Sequence, residues 1–162
     1  MKCIVLAAGY ATRMYPLTEN YPKPLLPVGG KPILDWLVDD LTPVTKQFII
    51  VTNHKFASHF TSWAEGKTQN VTVVDDGTET NETRLGAVKD IQFAIDQTHP
   101  DDDLLIIAGD NVLDFPMTTF VRYAQGKKRG IALIYFSFYA YILLLIGYVF
   151  SNILAQFFVA TT

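Results

Sequence analysis

The sequence predicts an α/β fold, an open and mostly parallel sheet with helices on both faces. Short apolar segments alternate along the chain with segments whose apolar residues recur every three or four positions. The short segments are continuously apolar, which is typical of strands buried on both faces of a parallel sheet. Strands that alternate with helices indicate right-handed crossovers and a Rossmann-like arrangement. Ligands of such folds bind at the carboxyl ends of the strands, so function is expected in the loops that follow them.

Segments rich in Ile, Val and Leu are the predicted strands. They cover residues 3–8, 47–52, 71–74 and 104–108, with residues 131–136 as a fifth candidate. The loops after the first four strands are residues 9–13, 53–54, 75–84 and 109–111. Because parallel strands end at the same edge of a sheet, we expect these four loops to lie near one another.

Helical spacing is found between the strands. Four helices are predicted. The first has Asp35, Asp39 and Asp40 on its polar side, and the apolar pattern of the fourth is weaker than that of the others. Their apolar positions are Ile33, Leu34, Leu37, Val38 and Leu41; Phe56, Phe60 and Trp63; Val88, Ile91, Phe93 and Ile95; and residues 120–124.

Composition limits the classes of function. The chain has 162 residues, is 49% hydrophobic and carries a formal net charge of −3, which suits one domain with a core. Mild acidity argues against nucleic acid as a partner. The single cysteine, Cys3, cannot form an intramolecular disulfide, and this favours the cytoplasm. Nothing in the sequence indicates an oligomeric state.

The loop after the first strand has the features of a phosphate-binding turn. It reads Gly9-Tyr10-Ala11-Thr12-Arg13. Small residues at a strand end expose backbone N–H groups to phosphate oxygens, and a guanidinium is suited to a polyphosphate. Taken alone, the same segment is better interpreted as an ordinary connecting loop with one solvated arginine. It is not the G-x-G-x-x-G dinucleotide motif, because the second and third glycines are absent.

A proline-rich segment follows, with Lys23 at its centre. Residues 21–34 read YPKPLLPVGGKPIL. Proline restricts φ and stiffens a loop, so the Lys23 ammonium is expected to be held in position. A rigid surface turn would explain the prolines equally well, but not their pairing with the preceding loop.

Together the two loops resemble the sugar-1-phosphate nucleotidyltransferase family, whose signature is L-A-A-G-x-G-T-R-[LM]-x-P-L-T followed by P-K-P-L-L-P-V and G-K-P. The match covers nearly every position of residues 4–34. Ala11 is the one departure, since most members have glycine there. We expect a negative φ at Ala11 and therefore only a mild effect on the loop.

The resemblance implies roles for individual residues. Ala8, Gly9 and the backbone of Tyr10, Ala11 and Thr12 would hold a nucleoside triphosphate. Arg13 would bind its β- and γ-phosphates, and Lys23 would neutralise charge at the α-phosphate and at the incoming sugar phosphate. Asp110 would bind Mg²⁺. The implied partners are an NTP and a sugar 1-phosphate, and the implied products are an NDP-sugar and pyrophosphate.

The loop before the third helix is the family's base-reading segment. The resemblance places Asn81 and Gly86 there, with asparagine where glutamine is more usual. Asn81 as a plain turn or cap residue is an open alternative.

The last 32 residues break the family pattern. Residues 131–162 contain no Asp, Glu, Lys or Arg, and the family's sugar-binding motifs are absent after Gly130. We therefore expect residues 1–136 to be the nucleotide-binding part of a truncated transferase domain and residues 137–162 to be an uncharged tail. A frameshift or truncation product is the favoured interpretation. The alternatives are a membrane anchor through residues 131–158 and a core strand–helix pair. A catalytically inactive Mg-NTP-binding fragment is the alternative function.

Overall fold

The computed structural model describes residues 1–113 and 115–126. The candidate strand at 131–136 and the boundary at residue 136 lie outside the described residues. The backbone divides after Thr118 into two units, and every contact discussed below lies within the first.

The described elements follow the predicted alternation. The strands are β1 (Lys2–Leu6), β2 (Pro27–Val28), β3 (Lys31–Pro32), β4 (Gln47–Thr52), β5 (Asn70–Asp75) and β6 (Leu104–Ala108). The helices are α1 (Ile33–Leu41), α2 (Ala57–Glu65), α3 (Ala87–Thr98) and α4 (Met117–Gln125). Short 3-10 turns cover Thr12–Met14, Lys23–Leu25 and His54–Phe56.

The main sheet is parallel and has the strand order β5-β4-β1-β6. From β1 the chain moves outward through β4 to β5 and then returns across the sheet to β6, on the other side of β1. Strand order therefore reverses between β1 and β6, which is where doubly wound folds bind ligands. The predicted Rossmann-like α/β class is confirmed.

Alternate residues of each strand pack on opposite faces of the sheet, as strand geometry requires. On one face Ile4, Ile49, Val51 and Val74 form a cluster with Ala94 of α3. On the other, Cys3 and Val5 alternate with them and are fully buried. Burial raises the pKa of the Cys3 thiol to about 12, so Cys3 is a neutral core residue as expected.

Two predicted helix faces differ in detail from the structure. Val88 was assigned to the apolar side of α3, but it is 75% exposed. Asp90 and Ala94, one turn apart, are the buried residues of that helix. Asp35, expected on the polar side of α1, accepts hydrogen bonds from Trp63 Nε1 at 2.7 Å and Lys67 Nζ at 2.5 Å. It therefore joins α1 to the end of α2 rather than facing solvent freely.

Candidate nucleotide-binding site

The site begins where β1 and β6 end side by side. The backbone N–H of Gly109, directly after β6, donates to the carbonyl oxygen of Leu6 at 2.9 Å. A Cβ at Gly109 would lie 2.9 Å from Val5 Cγ1 and 3.3 Å from the Leu6 carbonyl oxygen. Glycine is therefore required for the two strand ends to approach so closely, and this places Asp110 beside the loop that follows β1.

Lys23 and Asp110 are brought together at this edge. The Lys23 ammonium donates to Asp110 Oδ2 at 2.8 Å, and both side chains are partly exposed. Lys23 is the first residue of a 3-10 turn. The prolines on either side of it, Pro22 and Pro24, are buried. Buried prolines with restricted φ hold this turn against the protein, so the lysine has a defined position.

The loop after β1 presents unpaired backbone donors. Within residues 1–113 and 115–126, the N–H groups of residues 9–13 donate to no backbone or side-chain acceptor. Gly9, Thr12 and Arg13 are exposed, whereas Ala8 and Tyr10 are buried. In the same described ranges Arg13 has no ion-pair or hydrogen-bond partner for its guanidinium. A loop with free N–H groups and an unpaired guanidinium is suited to bind an anion.

Tyr10 anchors this loop to the loop after β5. Its hydroxyl lies 3.2 Å from Thr78 Oγ1, and its ring centroid is 6.2 Å from that of Phe56. Burial raises the pKa of Tyr10, and the neighbouring carboxylates of Asp76, Glu79 and Asp75 act in the same direction. The phenol is therefore neutral in the working pH range and remains available for hydrogen bonding.

Asn53 supports the loop after β1 from the protein interior. The sequence did not single out this residue as part of the site. It is fully buried. Its Nδ2 donates to the Ala8 carbonyl oxygen at 2.9 Å, and its Oδ1 accepts from the Phe56 N–H at 3.0 Å. Its position directly after β4 was the available signal, because residues that follow parallel strands lie at the ligand-binding edge.

The structure corrects the expectation for Ala11. Its φ is +48° and its ψ is +39°, which is the left-handed region rather than the negative φ that we predicted. The conformation is fixed because the Ala11 carbonyl oxygen accepts from Thr18 Oγ1 at 2.8 Å and from the Met14 N–H at 2.9 Å. An alanine in this region is strained by about 1 kcal/mol relative to glycine.

Asn81 and Gly86 belong to the loop that leads into α3. The Asn81 carbonyl oxygen accepts from Arg84 Nη1 at 2.7 Å, and Gly86 precedes α3 with a φ of +86°. Gly86 is therefore required by the backbone at the start of the helix. Asn81 lies within a turn and does not cap α3, so the turn interpretation and the base-reading interpretation both stay open.

Several polar side chains outside this loop are paired with distant parts of the chain or lie at the surface. His54 Nδ1 lies 2.6 Å from Asp75 Oδ2, and that hydrogen bond raises the pKa of His54. His99 ends α3. Asp101, Asp102 and Asp103 are exposed; Asp101 pairs with Lys2, and Asp102 with the amino terminus.

The donor set at Asp110 is compatible with Mg²⁺. Lys23 contacts Oδ2, and Oδ1 has no such contact among the described residues. No group of three or more His, Cys, Asp or Glu side chains that could hold a metal occurs within residues 1–113 and 115–126. Mg²⁺ commonly takes one or two carboxylates together with substrate phosphates, so one aspartate beside a phosphate-binding loop fits that mode.

The fold is an α/β fold of the Rossmann-like class, and the loop after β1 is suited to bind an anion at the edge where strand order reverses. The sequence profile of the nucleotidyl transferase family matches residues 2–140. The chain belongs to that family.

Individual relatives agree with this placement. The chain is 31% identical over 125 residues to the bifunctional protein GlmU of Methanococcus aeolicus, an alignment that covers 75% of this chain and 28% of the relative. It is 29% identical over 139 residues to a UTP–glucose-1-phosphate uridylyltransferase of Synechocystis, covering 78% of this chain and 35% of the relative. The chain thus spans about a third of the length of these relatives.

Solved structures share the architecture. A Bacillus anthracis protein described as a glucose-1-phosphate thymidylyltransferase, in complex with sucrose, superposes with a TM-score of 0.69 at 25% identity, over 80% of this chain and 52% of that one. A CTP:phosphocholine cytidylyltransferase of Streptococcus pneumoniae gives a TM-score of 0.55 at 26% identity, over 72% of this chain and 47% of that one.

None of the helices in the described part of the chain has the length and hydrophobicity to cross a membrane.

Proposed function

We propose that this chain supplies the nucleotide-binding part of an enzyme that transfers a nucleoside monophosphate from an NTP to a sugar 1-phosphate. The observation that carries the proposal is the approach of Lys23 to Asp110, 2.8 Å apart, beside a loop with free N–H groups and the unpaired Arg13. Membership of the nucleotidyl transferase family supports the same reaction class. The sugar-phosphate acceptor is favoured by the relatives that act on glucose 1-phosphate by name.

In the proposed reaction a phosphate oxygen of the sugar 1-phosphate attacks the α-phosphorus of the NTP. A P–O bond forms there as the bond to the bridging oxygen of the β-phosphate breaks, and pyrophosphate leaves. The attacking oxygen is already anionic, so no side chain has to remove a proton. The rate then depends on positioning and on neutralisation of charge.

The residues divide this work by their positions. The N–H groups of residues 9–13 hold phosphate oxygens, and Arg13 neutralises the leaving pyrophosphate. Lys23, kept in place by its buried prolines, neutralises the α-phosphate and the incoming phosphate. Asp110 would hold Mg²⁺, which supplies charge neutralisation on the triphosphate when bound. Asn81 and Gly86 are the candidates for contact with the base, and the cytoplasm is the expected compartment.

The test is an incubation of the purified chain and Mg²⁺ with radiolabelled NTPs, each paired with glucose 1-phosphate, mannose 1-phosphate or N-acetylglucosamine 1-phosphate. The proposal predicts a labelled NDP-sugar and pyrophosphate in equal amounts, and their loss in Asp110→Asn. Mg-NTP binding without any product would instead support the alternative function, a catalytically inactive nucleotide-binding fragment.

A further inference from the structure

Two carboxyl groups meet beneath the proposed nucleotide site. Asp76 follows β5, and Asp90 lies in the first turn of α3 and is 6% exposed. Asp76 Oδ2 and Asp90 Oδ1 are both buried, and neither has a hydrogen-bond partner within residues 1–113 and 115–126. Buried carboxyl oxygens without a donor are strongly unfavourable, so this pair requires a physical explanation.

A proton held between the two groups supplies the missing donor. When one carboxyl is protonated, its O–H can donate to the other. Burial, followed by the negative charge of Asp76, raises the pKa of Asp90 from 3.8 to about 6. Adjacent buried carboxylates are disfavoured as two anions, because neither solvent nor a cation offsets their repulsion.

In the part of the chain that the structure describes, no Lys, Arg or His forms an ion pair with Asp76 or Asp90. α3 packs against β1 and β4. β4 has no titratable side chain, and those of β1 are the neutral Cys3 and Lys2, which pairs with Asp101. The other charged side chains of α3 and of the loop before it are exposed; they are Lys89, Asp96, Glu79, Glu82 and Arg84.

A metal ion explains the pair less well than a proton. Ca²⁺ takes six to eight oxygen ligands and Mg²⁺ takes six. Here two oxygens are free, while Asp76 Oδ1 already accepts from the Thr78 N–H and Oγ1, both at 2.7 Å. The described residues contain no larger acidic or histidine cluster at this point.

Asp76 also connects the pair to the phosphate-binding loop. It fixes Thr78 through the two hydrogen bonds just given, and Thr78 Oγ1 lies 3.2 Å from the Tyr10 hydroxyl. Tyr10 is part of the loop whose N–H groups are free. A movement of the Asp76 carboxylate away from Asp90 would therefore disturb Thr78 and then Tyr10.

We propose that Asp76 and Asp90 share one proton and that Asp90, through this pair, is a positioning residue for the nucleotide-binding loop. The link to nucleotide rests on the proposed function, because it takes residues 9–13 to hold the triphosphate. Protonation of the pair favours the loop conformation described above. Loss of the proton sets two carboxylates against each other and loosens Thr78 and Tyr10.

The shared proton is tested by infrared spectroscopy of chain labelled with ¹³C-aspartate, between about pH 5 and 8. We expect an aspartic-acid C=O band at the acidic end that disappears near pH 6. The band should be missing in Asp90→Asn, and in Asp76→Asn it should disappear at a lower pH, because burial alone then raises the pKa of Asp90. The matched control is Asp96→Asn, an exposed aspartate on the same helix, which should keep the band. No band in the wild-type chain, or one that persists in Asp90→Asn, would overturn the proposal.

Positioning is tested on the same variants by NMR of ring-labelled tyrosine, with Tyr10 assigned by Tyr10→Phe. The Tyr10 resonance should shift with a midpoint near that of the C=O band in the wild type and in Asp96→Asn, but not in Asp90→Asn. A Tyr10 resonance that does not respond, while the band titrates, would refute the positioning role. This readout needs no nucleotide, so it is independent of the proposed function.

The last test measures nucleotide binding. The Mg²⁺ complexes of ATP, CTP, GTP, UTP and dTTP are titrated in turn, and the tightest is followed against pH. Affinity should fall as the pH rises through the titration of the Asp76–Asp90 pair. The fall should be about tenfold for each unit by which nucleotide binding raises the pKa of the pair. Asp90→Asn should abolish this dependence. Equal pH dependence in both chains contradicts the proposal, whereas no binding of any NTP refutes the proposed function alone.

Discussion

Lys23 Nζ and Asp110 Oδ2 lie 2.8 Å apart, although the two residues are separated by 87 positions in the sequence. One side chain comes from a proline-flanked turn and the other from the end of β6. Their approach defines the edge of the sheet to which the loop after β1 also belongs. The pair is partly exposed, so its contribution to stability is expected to be small and its value to lie in function.

Replacement of Lys23 should therefore separate stability from activity. Lys23→Met removes the ammonium but keeps much of the aliphatic stem. We expect the free energy of unfolding to change by less than about 1 kcal/mol, and transfer to slow by roughly 10²–10³-fold because a charge-neutralising donor is lost. Kinetics and denaturant unfolding measure the two quantities. Lys31→Met, which removes a lysine paired with Asp39, is the matched control and should retain activity.

Asn53 should contribute strongly to stability. Asn53→Ala leaves the Ala8 carbonyl oxygen and the Phe56 N–H without their buried partner. We expect the free energy of unfolding to fall by about 2–3 kcal/mol, measured by urea unfolding. Asn20→Ala, at an exposed asparagine, should change it by less than about 0.5 kcal/mol. Equal effects of the two substitutions would refute the bridging role of Asn53.

Ala11→Gly should stabilise the protein. Ala11 has a φ of +48°, where glycine has no steric penalty, although glycine also gains entropy in the unfolded chain. The net gain is expected to be about 0.5 kcal/mol, visible as a higher Tm. Ala94→Gly, inside α3, is the control and should lower the Tm. A lower Tm for Ala11→Gly would show that the left-handed conformation is not adopted in solution.

Stability should decrease as the pH rises from about 4 to about 6. The raised pKa of Asp90, about 6 against an ordinary 3.8, means that the folded chain keeps a proton which the unfolded chain has lost. The free energy of unfolding should fall by about 2–3 kcal/mol across this window. Above it the raised pKa of His54 continues the decrease on a smaller scale, because that side chain is exposed. The lowered pKa values of Asp101 and Asp102 act only below about pH 4.

Urea unfolding at a series of pH values measures this slope. Asp90→Asn should remove it, because asparagine does not titrate. Asp96→Asn, on the exposed side of the same helix, should keep it. A slope that survives in Asp90→Asn would assign the effect to another group.

The fold was largely predictable because its signals are local. Continuous apolar runs predicted β4 and β6 with the observed bounds, and the spacing of Ile33 to Leu41 predicted α1 in full. The prediction for Val88 was wrong because Asp90, as a charged residue, was expected at the surface. Val88 was therefore placed on the buried side of α3 in its stead. Asp90 is buried near Asp76, which belongs to the loop after β5, and periodicity within one helix cannot show such a tertiary neighbour.

The site was predictable only where its residues form contiguous motifs. Residues 9–13 and Lys23 stood out because their types and spacing matched a family signature, and the role of Asp110 was implied by the same resemblance. The φ of Ala11 was predicted wrongly because the carbonyl oxygen that fixes it bonds to Thr18, seven residues away. Asn53 and Thr78 lie in loops that follow strands, which placed them at this edge, but their partners come from other elements, so the sequence did not reveal what they contact.

The affinity of the chain for Mg-NTP, with and without Arg13, tests the account most directly. Isothermal titration should show one binding site that requires Mg²⁺. Arg13→Ala should weaken binding by roughly 10- to 100-fold, because a charge-assisted contact to phosphate is worth about 1.5–3 kcal/mol. Arg122→Ala, at an arginine in the last turn of α4, should leave the affinity unchanged. Equal affinity in wild type and Arg13→Ala, or no binding in either, would contradict the assignment of residues 9–13 as the triphosphate site.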